Sequence, residues 1–286
     1  MIVKNGLAWN GESFEKRDLY IQDGKFVSKE QFDGSGPVVD ATGLFVMPGF
    51  VDSHAHVIGT GMKLLTHDIT KENIEEIFKN EEEFTVARGW EVLPENSVLQ
   101  LLNKIEKPVV LVRKCGHVAW INDYLRKEVD FVNNLIYEGD IDKIWKYLGD
   151  DFYKKAFQKG EEEFLKHGVT QVHSDDFHGV SFETLKELLK SSNIRIFEKL
   201  CTTEPWNYEF GEYNLSKIGG IKLFADGSLG GKTAYMFEPY TGSDLHGLFT
   251  LPNNIDKIIS FAQENRLQLN IHTIGDKALH LSLIHI

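Results

Sequence analysis

A chain of 286 residues, 42% hydrophobic and 26% charged, has the composition of a soluble globular protein long enough for one large domain or two ordinary ones. Its formal net charge of −12, with no basic run, argues against nucleic acid and anionic membranes as partners, since both require clustered Lys or Arg. No apolar run reaches membrane-spanning length, the start MIVKNGLAWNG lacks a signal-peptide core, and two distant cysteines, Cys115 and Cys201, predict a reduced, cytoplasmic protein without a disulfide framework.

Residues 1–46 read as short strands separated by turns. Asn5-Gly6, Asp23-Gly24 and Gly43 punctuate alternating apolar residues, and Asn-Gly and Asp-Gly are strong hairpin signals. Such a unit is too short to bury a core of its own. From residue 47 the pattern changes to strands alternating with helices. FVDSHAH is a strand; GVTQVH (168–173) is another, followed by the helix SFETLKELLKSS with Phe182, Leu185, Leu188 and Leu189 at helical spacing. IRIFEKL (194–200), GGIKLFAD (219–226), the helix IDKIISFAQENR and LQLNIHTI (267–274) complete the series. Alternating β and α with apolar strands predicts an α/β fold with a parallel sheet, either a barrel or a doubly wound sheet. The stretch at about 58–165 is too long for a loop and reads as an inserted subdomain. It carries the helices KENIEEIFKN, NSVLQLLNKIE and IDKIWKYL and the strand-like FTVARGW and PVVLVRKCG. GDKALH opens a further helix, and LSLIHI stops without a charged face, which predicts a chain that continues.

Three places could carry chemistry. In MPGFVDSHAHV, Asp52, His54 and His56 alternate, so all three side chains share one face of the strand end, where two imidazoles can ligate one divalent cation such as zinc. Ordinary hydrogen bonding of two histidines is the competing reading. Lys222 sits inside an apolar strand, where burial would lower its pKa and make the amine nucleophilic; a lysine reaching out to solvent is the alternative. His272 lies where LQLNIHTI hands over to the next helix, the edge at which barrel enzymes collect their active sites. Gly231-Lys232-Thr233 lacks the upstream glycine of a phosphate loop.

These residues carry a resemblance. DATGLFVMPGFVDSHAH is very similar to the signature that opens the barrel of the amidohydrolase superfamily. IKLFADGSLGGKTAYM and NIHTIGDKAL resemble the amidohydrolase-3 branch, which includes N-substituted formamide deformylases and N-acyl amino acid hydrolases. GVTQV resembles the second barrel strand, and ARGWE and CGHVAWIN resemble parts of the branch's insertion. The resemblance implies a (β/α)8 TIM barrel, of which about the first five strands are present in residues 47–286, with residues 1–46 contributing to a β-sandwich. It implies a metal-dependent hydrolase of carbon–nitrogen bonds other than peptide bonds, acting on a small-molecule amide or N-acyl substrate through metal-activated water. His54 and His56 would hold the first metal, Lys222, carboxylated by CO2, would bridge two, and His272 would bind the second. The family's remaining ligand, a strand-six histidine, and its proton-shuttling strand-eight aspartate match no position here, which predicts a C-terminally truncated fragment.

Weaker candidates line up beside these. His117 and Asn122, in CGHVAWIN, match an insertion motif that faces substrate in relatives, or are buried structural groups. Asp226 is a candidate substrate contact or a turn aspartate, and His173 either lines the pocket or serves as a structural hydrogen bonder. Asp52 orients a ligand or fills the barrel interior. His67, His167, His178, His246, His280 and His285 show no ligand spacing and are read as ordinary. Two other readings stay open: a non-catalytic remnant, and a His-x-His phosphoesterase, against which the 46-residue β unit and Lys222 count. Homo-oligomerisation is open as well.

Overall fold

The computed structural model describes residues 1–70, 74–77, 83–137 and 139–283. Most of KENIEEIFKN and the final residues, including His285, lie outside them.

The chain divides into Met1–Phe50 and Val51–Ile286. The first unit is all β: β1 (Ile2–Lys4), β2 (Leu7–Trp9), β3 (Phe14–Lys16), β4 (Leu19–Gln22), β5 (Lys25–Val27), β6 (Val38–Asp40) and β7 (Phe45–Val46). They form a four-stranded sheet, β5-β4-β1-β6, and a three-stranded sheet, β3-β2-β7. Asp23-Gly24 makes the expected hairpin between antiparallel β4 and β5, both residues with positive φ. Asn5-Gly6 does not. It carries the chain from one sheet to the other, because a Cβ on Gly6 would stand 2.8 Å from Val46 Cγ2 and 3.0 Å from Ala41 Cβ, so glycine serves close packing there. Of the unit's apolar side chains only Ala8 and Ala41 are buried, consistent with too little chain for a core.

The second unit begins on β8 (Phe50–Ala55), which runs directly into α1 (Val57–Leu65). A mixed five-stranded sheet follows, order β13-β12-β11-β10-β9. Its strands are β9 (His67–Asp68), β10 (Thr85–Trp90), β11 (Val109–Arg113), β12 (Val118–Ile121) and β13 (Leu135–Tyr137), interleaved with α2 (Ile74–Ile77), α3 (Asn96–Leu102), α4 (Asp123–Glu128) and α5 (Gly139–Trp145). Val86, Val110, Val112, Ala119 and Ile121 form one of its cores. Asn122, a candidate for facing substrate, is instead fully buried. It caps α4 by accepting from Leu125 N, accepts from Val109 N, and donates to the carbonyls of Ile105 and Lys107.

Then come α6 (Gly149–Lys166), β14 (Val169–Ser174), α7 (Phe182–Ser191), β15 (Arg195–Cys201), β16 (Gly211–Tyr213), β17 (Ser216–Phe224), α8 (Ile255–Glu264), β18 (Gln268–His272) and α9 (Asp276–Leu283). Strands β14, β15, β17 and β18 pair in parallel, with β8 beside β14, and make half of a barrel wall. Helices α1 and α6, placed in the insertion by sequence, belong to this wall: Val57, Ile58, Met62, Tyr153, Ala156 and Phe157 share a core with Val172 of β14 and Leu185 of α7. The insertion proper is therefore narrower than 58–165. Glycines bring the two helices together, since a Cβ on Gly61 would fall 1.6 Å from the Ala156 carbonyl oxygen and one on Gly160 2.0 Å from that of Val57.

Candidate metal centre and its cavity

Strand alternation places the site. His54 lies one residue before the end of β8 and His56, still extended, immediately precedes α1, so their rings share a face with centroids 5.6 Å apart. Backbone Asp52 to His56 is pinned in two ways. The Asp52 carboxylate accepts from His54 N, at 3.0 Å. Just past the end of the neighbouring strand β14, Asp176 accepts from Ile58 N and Gly59 N at the N-terminus of α1, where backbone donors have no helical partner. Helix α1, and with it His56, is thereby fastened to the end of β14.

Asp175, the neighbour of Asp176, faces the opposite way, toward the histidines. Its side chain is fully buried, with Oδ1 3.0 Å from His56 Nδ1 and Oδ2 2.5 Å from Lys222 Nζ. Burial works against a carboxylate, yet the His56 and Lys222 charges outweigh it and hold Asp175 below the usual carboxylate range. Neither oxygen makes an aligned hydrogen bond, so these are close ionic contacts that leave lone pairs uncommitted. Ligand atoms of His54, His56 and Asp175 all lie within 4.8 Å of one another. Two imidazoles and an anionic carboxylate with free lone pairs fit a divalent cation. Burial, followed by the Lys222 charge, lowers the His54 pKa and favours the neutral imidazole that a metal needs.

The other expected residues fall out unevenly. Lys222 is buried on β17 as foreseen, but its amine lies against Asp175 rather than unaccompanied. His272 lines the same cavity outside the close ligand group: its Nε2 is 3.1 Å from the Gly227 carbonyl, and its ring packs 5.1 Å from Phe224, its register partner on β17. His117 also lines the cavity, 6.1 Å from the His272 ring. Asp226 touches the cavity, but its carboxylate is committed to the loops. It accepts from Tyr235 N, Ile274 N and Gly275 N, which makes it a clamp between the β17 and β18 edges rather than a free substrate contact. His173 does not line the cavity. It lies on β14 with its ring 5.0 Å from Phe197 of β15.

Several groups escaped the sequence reading. Asp175 was hidden in HSDD, which looks like the polar end of a strand; only its contacts with His56 and Lys222, both distant in sequence, show that it faces inward. Lys199 on β15 reaches His54 Nδ1 at 3.4 Å and donates to the His173 carbonyl at 3.2 Å, and burial lowers its pKa. His178, read as ordinary, lines the cavity, its ring 6.4 Å from that of His56 and its Nδ1 3.3 Å from Asp142 Oδ2. Burial alone would lower the His178 pKa, but the hydrogen bond and charge of Asp142 raise it. The cavity has a volume of about 1060 Å³ and is walled by both the barrel edge and the insertion.

The sequence profile of the Amidohydrolase family matches residues 37–285. YtcJ of Bacillus subtilis (strain 168), whose name assigns it provisionally to the amidohydrolases, is 25% identical over 84% of this chain and 55% of its own length. LONG AFTER FAR-RED 3 of Arabidopsis thaliana is 24% identical over 89% of this chain and 54% of its own. The chain thus spans about half the length of these two relatives. Among solved structures, an uncharacterised metal-dependent hydrolase from Pyrococcus horikoshii OT3 superposes with a TM-score of 0.77 at 26% identity, covering 99% of this chain and 67% of the other.

Proposed function

The chain belongs to the amidohydrolase family, and from that premise we propose that it acts as a metal-dependent hydrolase of non-peptide carbon–nitrogen bonds in a small amide or N-acyl substrate. The observation that carries this reading is the convergence of His54, His56 and Asp175 on one point at the barrel edge, facing a cavity of substrate size. The donor set suits zinc. A divalent cation held there supplies Lewis acidity and an activated water for attack on a carbonyl.

The chain's own groups do the rest. Asp175 and the two imidazoles hold the cation. Lys222 offsets the Asp175 charge, and it is also the proposed site of carboxylation, in which state it would present a second carboxylate beside Asp175. His178, with its Nδ1 turned to Asp142, can keep a proton on the ring and deliver it to the leaving nitrogen. His272 and His117 wall the substrate side, with His272 as the proposed ligand of a second cation. Free thiols at Cys115 and Cys201 accord with a reducing compartment, and among the described residues no helix is long and apolar enough to cross a membrane.

The test combines metal analysis with a panel of simple amides and N-acyl compounds. Hydrolysis should vanish with a chelator and return with zinc, and Asp175→Asn should bind less metal and lose activity. Metal-replete protein that hydrolyses none of the panel would favour the non-catalytic reading.

A further inference from the structure

Among the described residues, one largely buried charged group in the cavity has no counterpart. The carboxylates that line the cavity among the described residues each face a partner: Asp175 has His56 and Lys222, Asp142 has His178, and Asp226 has three backbone N–H groups. Lys63, also in the lining, is exposed to solvent. Arg88, on β10 of the insertion, is mostly buried, and among the described residues no carboxylate, carbonyl or aromatic ring pairs with its guanidinium. The other arginines nearby differ: Arg113 donates to the Gly230 carbonyl and lies over the Trp90 ring, and Arg126 pairs with Asp123. Burial is the influence acting on Arg88, and it lowers a pKa that still leaves the group charged. A buried cation without a counter-charge is costly unless something else supplies one.

The backbone around Arg88 presents it to the cavity. Val86, two residues earlier and on the same face, lies in the insertion core with Val110 and Val112. The register with β11 then shifts between Arg88 and Trp90, at Gly89, whose φ is +107°. Bulges of this kind re-aim a side chain and collect beside functional sites. A Cβ on Gly89 would lie 3.1 Å from Asp68 Oδ1, so the glycine also lets β9 approach. Asp68, opposite Arg88 in the β9 register, turns its carboxylate to Thr70 N and Oγ1.

We propose that Arg88 is a specificity-determining residue that binds a carboxylate on the substrate, away from the bond that is cleaved. This deepens the hydrolase reading and rests on it for the word substrate. A planar guanidinium matches a planar carboxylate through two parallel N–H···O bonds. A phosphate would call for several donors, and the described cavity offers one free guanidinium. The insertion then selects the substrate and the barrel edge cleaves it.

The experiment uses a matched pair of probes, succinamate and succinamide, which differ only by carboxylate against amide. Binding to the metal-loaded chain is followed by saturation-transfer NMR, with turnover recorded separately. Wild type should bind succinamate at least about tenfold more tightly than succinamide. Arg88→Gln should abolish the preference and Arg88→Lys should keep only part of it, because an ammonium lacks the paired donors. Equal binding of the two probes by wild type overturns the proposal without any variant. So does a preference that survives in folded Arg88→Gln, and so does inorganic phosphate displacing succinamate with higher affinity in an Arg88-dependent way. An Arg88-dependent preference without turnover would sustain the anion site while counting against the hydrolase reading, and turnover without preference would do the reverse.

Discussion

Asp175 and Asp176 are adjacent, just past the end of β14, and their carboxylates go to different places: one to the histidines, the other to the N-terminus of α1. Behind them Glu198 is buried and accepts from Asp176 N at 2.8 Å. Burial, reinforced by the Asp176 and Asp175 charges, pushes its carboxyl well above the ordinary range. A raised folded-state value means that the fold holds this proton more tightly than the unfolded chain does. The contribution is therefore fully present below the unfolded value of about 4.3 and is lost as pH rises through the folded one. Glu198→Gln keeps the acceptor and should be more stable than wild type at neutral pH, with a flatter pH dependence in urea titrations. An unchanged slope would show that Glu198 does not carry it. His178 makes a kinetic prediction. As a proton donor it works only while protonated, so activity should decline as pH rises through its Asp142-raised value. His178→Gln should cost on the order of 100-fold in kcat and remove that alkaline limb, with metal content intact. Loss of metal instead would make it a ligand.

Among the elements, β15, β17 and β18 of the barrel wall were legible because each carries a short apolar run, and the order of the wall strands follows from alternation with helices. His54, His56 and Lys222 were legible for the same reason, as polar groups breaking an apolar strand pattern. Asp175 was not, because a carboxylate after a strand is commonplace and its direction depends on tertiary register. Likewise α1 and α6 looked like parts of an insertion, since nothing local reveals that Gly61 and Gly160 let two helices distant in sequence touch backbone to backbone. Gly61→Ala should therefore force α1 off α6. The expected loss is about 3 kcal/mol or more, at the upper end of overpacking costs, read by thermal or urea unfolding. Because α1 follows His56 directly, metal affinity should fall too. A variant with native stability and affinity would mean that the contact is loose.

For the whole molecule, the half-barrel sheet has β8 at one end and β18 at the other, each with a single strand neighbour among the described residues. Unpaired strand edges invite pairing with another chain. Concentration-dependent self-association is expected in sedimentation velocity, and a monodisperse monomer at all concentrations would contradict it. The central claim is a cation between β8 and β14. Its most direct measurement is anomalous diffraction at the zinc edge from crystals of the zinc-loaded chain. The account predicts a peak within bonding distance of His54, His56 and Asp175. A zinc peak elsewhere, or none there while those three side chains keep their places, would contradict it.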